Sequence, residues 1–328
     1  MRVVPKAAVI ILLAAGPMNQ LNFASAQSRP EAAMFNPDHV VEGIRTSKED
    51  CAPYEAQDTA VFVTAAGTSA CIRYYASGLK NDRTANPVTM VWLNGDVLGP
   101  SGKNADKRQS GFGPAEMVAL EAQVSRRFGI PAVYLARPGT YGSSGKHYTM
   151  RGRPIEAALV DAALDALKQR YAIEKISLGG HSGGGTLVAE LLSRRTDLNC
   201  AVISSGASAY RAYLEARNLI KPGDPVSRFD PYASLDKIRI DPKRRVFVVG
   251  DPRETNVPFS AQKLFFEGLV ARGHAAWLIP LERARDDRHH DLVDFGEAAT
   301  GLCAAGETSE HIVQTLNSLP EPPPRLSN

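Results

Sequence analysis

Ile176-Ser177-Leu178-Gly179-Gly180-His181-Ser182-Gly183-Gly184-Gly185-Thr186-Leu187-Val188-Ala189-Glu190-Leu191-Leu192 reads as a short apolar strand, an abrupt glycine-rich turn and then a helix. Ser182 stands at the centre of the turn, in the frame G-x-S-x-G. A serine forced into a strained strand-to-helix turn needs neighbours without bulk, because a Cβ two residues away would collide with the adjoining strand or helix. The turn lifts the hydroxyl out of the sheet edge. It also aims the helix N-terminus, with the Gly183 N–H, at whatever Ser182 attacks. Other glycine-rich loops fit less well. A phosphate-binding loop would carry G-x-x-x-x-G-K-[ST], and no lysine follows these glycines. A dinucleotide fingerprint would carry G-x-G-x-x-G near an early strand. An ordinary strand-to-helix turn that happens to hold a serine is the remaining alternative. The strand before it and the periodic helix after it weigh against that reading.

Working outward, residues 59–64 and 70–75 flank Ala66-Gly67-Thr68 as a β-hairpin. Residues 88–93 are nearly all apolar, as expected of a strand buried on both faces. A helix is expected over 115–128, a strand over 130–136, and a helix over 154–171 opened by Pro154. Past the Ser182 unit come strands at 201–204, 245–250 and 275–279, and helices at 259–272, 292–305 and 309–316. Strands separated by helices imply a largely parallel sheet. Residues 206–242 break the rhythm, with Tyr210, Tyr213, Phe229 and Tyr232 spread among prolines and charges. They read either as an insertion forming part of a cap over the site or as a helix with a long connection.

The two ends read differently from the middle. Arg2 and Lys6 flank a basic start, residues 7–16 are apolar, and Ala24-Ser25-Ala26 offers a cleavage site, the pattern of a secretory signal peptide over 1–26. That run is too short to span a bilayer, and no later segment is long and apolar enough. The expectation is an exported protein, periplasmic or secreted, with no stable membrane anchor. Residues 27–57 read as an N-terminal arm, 58–318 as the folded domain and 319–328 as a loose proline-rich tail. Loss of Arg2 and Lys6 would lower the net charge of +3 to about +1, and no basic block stands out, so nucleic acid is not an expected partner. Cys51, Cys71, Cys200 and Cys303 allow three pairings, and Cys51–Cys71 with Cys200–Cys303 is the favoured one. Cys200 is otherwise read as a small buried hydrophobe at the start of a strand.

A hairpin followed by strand–helix alternation, with G-x-S-x-G after the fifth strand, resembles the α/β-hydrolase fold from about residue 58 to 316. The expected class is therefore α/β, a mostly parallel central sheet with helices on both faces. Within that fold the chain is most similar to the prolyl-oligopeptidase-like (peptidase S9-like) and dienelactone-hydrolase-like branch. The residues that carry this are the Ser182 turn, Gly250-Asp251-Pro252-Arg253-Glu254-Thr255-Asn256-Val257-Pro258, and His289-His290-Asp291-Leu292. The branch often shows G-x-x-D-x-x-V-P after the strand bearing the acid. Glu254 stands at that aspartate position, a departure the fold accepts.

The resemblance implies a Ser–acid–His order and a matching chemistry. A serine hydroxyl needs a base near neutral pH, and the imidazole needs a carboxylate to fix its tautomer. Ser182 is the expected nucleophile. Glu254 or Asp251 is the acid, with Glu254 in the family register. His290 or His289 is the base, with Leu292 favouring His290 through the family's H-x-[FL] habit. His274 is at the wrong end of the sheet and His181 can only line the site. The oxyanion donors would be the N–H of Gly183 and that of Gly95 or Asp96. Arg137, Tyr141 and residues 143–147 would line the pocket. No cofactor is implied, and the adjacent residues around His289 are poorly placed to converge on a metal. The substrate would be a small molecule or peptide, cleaved at an ester or peptide bond through an acyl-enzyme. A carboxylesterase of small esters is one alternative. A non-catalytic ligand-binding member of the fold and a lyase or haloperoxidase-like use of the serine are others.

Overall fold

The structure is a computed structural model that describes residues 34–82, 84–99 and 102–320. The segment read as a signal peptide and residues 321–328 of the tail lie outside the described residues. In chain order the strands are β1 (Ala60–Ala65), β2 (Thr68–Ser77), β3 (Asn86–Leu93), β4 (Ala132–Leu135), β5 (Ile173–His181), β6 (Leu198–Ser204), β7 (Arg245–Gly250) and β8 (Ala276–Pro280). The helices are α1 (His39–Glu42), α2 (Lys48–Ala56), α3 (Pro114–Phe128), α4 (His147–Met150), α5 (Pro154–Tyr171), α6 (Gly183–Leu191), α7 (Tyr210–Ala216), α8 (Phe259–Ala271), α9 (Val293–Ala304) and α10 (Ser309–Ser318).

The eight strands form one sheet in the order β1-β2-β4-β3-β5-β6-β7-β8. The β1–β2 and β2–β4 pairs are antiparallel and the rest are parallel. The apolar strands show why the sheet needs helices on both faces. On β7, Val246 and Val248 enter one core, whereas Phe247 and Val249 enter the other. On β6, Ala201 and Ile203 face the first core and Cys200 and Val202 the second. Strands of this kind are stable only when covered twice. Helices α5, α6 and α8 cover one face, and α3, α9 and α10 the other. Helix α5 follows the expected pattern: Pro154 opens it, and Leu159, Ala163, Leu164 and Leu167 are buried.

Two disulfides join Cys51 to Cys71 and Cys200 to Cys303, the pairing favoured from the sequence. The first fastens α2 to β2. The second fastens the end of α9 to β6. Closing 20- and 103-residue separations restricts the unfolded chain by about 3 and 5 kcal/mol respectively in a chain-entropy account. The described part of the arm is held further by paired backbone bonds between Ile44 and Gly145, both 2.8 Å. Residues 206–242 contain α7 and a short 3-10 turn, Tyr232–Lys237, joined by irregular chain. Phe229 N donates to Gly152 O (2.9 Å), which ties this segment to the turn before α5. Among the described residues no helix is long and apolar enough to cross a membrane.

Glu190, on α6, is 2% exposed, and its Oε1 accepts no hydrogen bond. Arg194 Nη2 stays 3.9 Å away. Burial pushes the carboxyl up to about 8, Arg194 opposing and Glu156 adding repulsion. Below its ordinary value of 4.5 the group is protonated in both states. Between there and about pH 8 the unfolded chain ionises it while the fold keeps it protonated, so stability falls as pH rises, then levels off. Glu190→Gln should therefore remove a loss on the order of 3–5 kcal/mol accumulated across that window. Urea denaturation of both proteins at several pH values between the two limits is the check.

Candidate active site

Strand β5 ends at His181 and α6 begins at Gly183, leaving Ser182 alone in the turn with φ 54° and ψ −120°. A non-glycine residue holds such a backbone only when its surroundings over-determine it. Here Ser182 N donates to Ser204 O (2.8 Å), and Ser182 O accepts from Thr186 N (2.9 Å) and Thr186 Oγ1 (3.2 Å). The flanking glycines are required by contact. A Cβ at Gly180 would lie 2.6 Å from Gly184 C, and one at Gly184 2.5 Å from Leu93 O.

Two loops bring charge toward the serine. After β7, residues 251–258 carry Glu254, whose side chain is fully buried. Its carboxylate accepts from His290 Nδ1–H, from Val257 N (2.9 Å) and from Gln262 Nε2 (2.8 Å). Burial pushes the Glu254 carboxyl above its ordinary range, and the bond from His290 pulls against it. After β8, the loop bearing His290 is clamped from two sides. Asp286 Oδ1 accepts from His290 N (2.6 Å) and Asp291 N (2.8 Å). Ser205 Oγ donates to His290 O (2.9 Å), and Ser204 Oγ to Leu292 O (3.0 Å). Burial disfavours the charged form of Asp286, but the two backbone donors outweigh it and hold the carboxyl below its ordinary range. With Nδ1 committed to Glu254, Nε2 is the nitrogen left to act as base.

Asp251 does not reach a histidine. It is fully buried and accepts from Arg253 N, Nε and Nη2 and from Ala284 N, so it organises its own turn. His289 takes a left-handed backbone (φ 54°) and its buried Nδ1 bonds nothing. The His181 ring stands 4.8 Å from that of His290. Ser182 Oγ and His290 make no hydrogen bond in this structure; in resting sites such bonds are commonly long and tighten with substrate.

Beside the serine lies the loop after β3. A Cβ at Gly95 would be 3.4 Å from Ser182 Cβ. Gly95 O accepts from Asn94 Nδ2 (2.8 Å), which turns the N–H of the same peptide, that of Asp96, the other way. The N–H groups of Gly95, Asp96 and Gly183 find no acceptor among the described residues. A Cβ at Gly183 would overlap the Asp96 carboxylate and lie 2.8 Å from Arg137 Nη1. That carboxylate is ion-paired to Arg137 (2.9 Å) and Arg151 (2.6 Å), with His147 Nε2 at 3.5 Å. Burial opposes its ionisation, but Arg137, His147 and Arg151 outweigh this and hold it well below the ordinary range.

Arg137 and Tyr141, expected in the pocket wall, have other surroundings. Arg137 is 1% exposed and lies beneath the site, its charge shared between Asp96 and Glu156 (2.8 Å). A guanidinium so deeply buried has to be paired there. The Tyr141 ring packs against Phe35 and Tyr134, at 5.6 and 5.4 Å. The Ser143 and Ser144 hydroxyls accept from Arg73 N and Cys71 N, so they staple this loop to β2, and His147 is wholly buried. Gln262, Asp286, Ser204, Ser205 and Glu156 are missed by the sequence reading, since isolated polar residues on helices and strand ends carry no pattern. Among the described residues no group of three or more His, Cys, Asp or Glu is placed to hold a metal. A cavity of about 340 Å³, lined by Thr196, Arg239, Ile240, Asp241, Pro242 and Arg244, lies at the opposite strand ends, remote from Ser182.

No protein-family model and no curated protein matches the chain. Solved structures do. The chain is similar to the Pyrococcus furiosus esterase Pf2001, with TM-score 0.51 and 15% identity, over 83% of this chain and 96% of the esterase. It is also similar to the Pyrococcus horikoshii acylaminoacyl peptidase, with TM-score 0.50 and 12% identity, over 73% of this chain and 38% of the peptidase. At such identities the likeness is one of fold, and the fold is that of the α/β-hydrolases.

The Glu254–His290 bond is open to direct observation. Proton NMR should show a far-downfield imidazole N–H resonance, as expected of a charge-assisted bond to a carboxylate. It should vanish in Glu254→Gln and His290→Ala and persist in His289→Ala.

Proposed function

We propose that the chain is an exported serine hydrolase that cleaves an ester or amide through an acyl-enzyme on Ser182. The observation that carries this reading is the His290–Glu254 pair, held by Val257, Gln262 and Asp286 beside a serine on a strained turn. Ser182 Oγ attacks the carbonyl carbon and forms the C–O bond as its proton passes to His290 Nε2. Glu254 stays ionised and stabilises the imidazolium. The carbonyl oxygen, now negative, is received by Gly183 N–H and by Gly95 or Asp96 N–H. Collapse breaks the bond to the alkoxide or amine, which takes the proton from His290. Water then repeats the attack on the acyl-enzyme, giving its proton to His290, which returns it to Ser182 Oγ as the acid departs. The two disulfides support the exported reading, since such bonds persist in oxidising compartments. The fold is similar to that of an esterase and that of an acylaminoacyl peptidase, so both bond types stay within the reading.

Fluorophosphonate labelling followed by intact-mass measurement tests it. One adduct is expected on the oxidised wild type and none on Ser182→Ala. The rate should fall by about a hundredfold or more in His290→Ala and Glu254→Gln. Asp286→Ala, which loosens the His290 loop without touching substrate, should slow labelling by about tenfold to a hundredfold. A folded wild type that takes no adduct would overturn the hydrolase reading in favour of a binding protein.

A further inference from the structure

We propose that the Ser182 site selects substrates that carry a carboxylate apart from the scissile bond, and that Arg228 receives that carboxylate. This rests on the serine-hydrolase reading and adds the substrate class to it.

The rim of the site can be followed as a closed path of contacts. Gly183 abuts the Asp96 carboxylate, which holds Arg151 Nη1 at 2.6 Å. The next residue, Gly152, lies against Arg228: a Cβ there would be 2.7 Å from Arg228 Cδ, and Phe229 N donates to Gly152 O at 2.9 Å. Arg228 Cζ stands 5.8 Å from the centre of the Tyr210 ring. Tyr210 shares an apolar cluster with Val257. Val257 N donates to Glu254, and Glu254 holds His290. The His181 ring, 4.8 Å from that of His290, returns the path to the residue next to Ser182. Arg228 is therefore part of the rim, brought there by the 206–242 segment.

The charges along this path leave one cation over. Arg137 and Arg151 are matched by Glu156 and Asp96. Burial lowers the pKa of His147 beneath them, which disfavours its charged form. Arg211 pairs with Glu215 at 3.6 Å. The Asp230 carboxylate accepts from the N–H groups of Tyr210, Arg211 and Tyr232. Arg228 forms no ion pair among the described residues. It is half-buried, with one side toward an aromatic ring. A partly desolvated guanidinium without an anion is a poor arrangement for the resting fold and a good one for a ligand. Its planar fork matches the two oxygens of a carboxylate, and a single uncompensated charge suits a monoanion better than a phosphate dianion. Arg228 is reached along both arms of the path, through Asp96 and Arg151 and through Tyr210 and Val257, so the carboxylate belongs to the substrate without being fixed to one side of the scissile bond. The fitting substrates are esters or amides that carry a free carboxylate.

The test uses two series of alkyl fluorophosphonates on the full chain. Their alkyl tails vary in length and end in a free carboxylate or in its methyl ester. The measured quantity is the second-order rate of Ser182 modification. At the best length the carboxylate probe should react about tenfold or more faster than its ester, with the advantage shrinking as salt is added. Arg228→Gln should abolish the preference and leave the methyl-ester rate within about twofold, while Arg228→Lys should keep part of it. Equal rates for the two series on wild type would overturn the proposal and leave the hydrolase standing. So would an Arg228→Gln variant that slows both series alike. No modification by either series would overturn the hydrolase reading, and this inference with it.

Discussion

The backbone of Ser182 is the constraint on which the rest of the site depends. A residue at φ 54° and ψ −120° costs free energy, on the order of 1–3 kcal/mol, and persists because three neighbours leave it no alternative. Strand β6 takes its N–H through Ser204 O, α6 takes its carbonyl through Thr186, and the glycines at 180 and 184 let α6 press against the end of β3. That pressure also brings Gly95 to the serine. The Ser182 turn and the N–H groups of Gly95 and Gly183 beside it are thus consequences of one packing event. Strand β6 contributes a second time, because Ser204 and Ser205 at its end hold the His290 loop by its carbonyls.

Beneath the site runs a buried series of charges, Glu156–Arg137–Asp96–Arg151. An ionised carboxylate beside Gly183 would by itself oppose the negative charge that develops on a carbonyl oxygen there. Two arginines remove that penalty, and the aspartate in turn fixes Arg151 Nη1 at 2.6 Å. Such pairs add little net stability once desolvation is counted, though breaking one leaves a buried charge alone. Their use here is placement: they tie the loops after β3 and β4 to the turn before α5.

The fold likeness to an esterase and to a peptidase leaves substrate choice to the loops at the strand ends. The segment over 206–242 is the largest of these. It is fastened to the Gly152 turn and to Val257, so it touches both the Asp96 side and the Glu254 side of the serine. A segment so placed can impose a charge requirement without altering the chemistry beneath it.

The strands, the helices and the Ser182 turn were legible in the chain because they follow from local rules. The apolar runs at β3, β6 and β7 and the Pro154 helix declare themselves by periodicity. The glycines around Ser182 declare the turn because no residue with a Cβ fits there. Glu254 could be separated from Asp251 only by family register, and the folded chain supplies the physical reason: Asp251 spends its carboxylate on Arg253 and Ala284, while Glu254 is carried one turn farther to His290. Arg137 looked like a wall residue because its position in the loop is known locally, whereas its burial depends on Glu156 and Asp96, far away in sequence. Gln262, Asp286 and Ser205 were invisible for the same reason. A single polar side chain has no period and no motif, and its partner is chosen only when distant loops meet. Local sterics and hydrophobic pattern determined the scaffold and the Ser182 turn; the pairing of charges across loops was decided by the tertiary structure alone, because hydrogen bonds and ion pairs depend on distances that the order of residues does not encode.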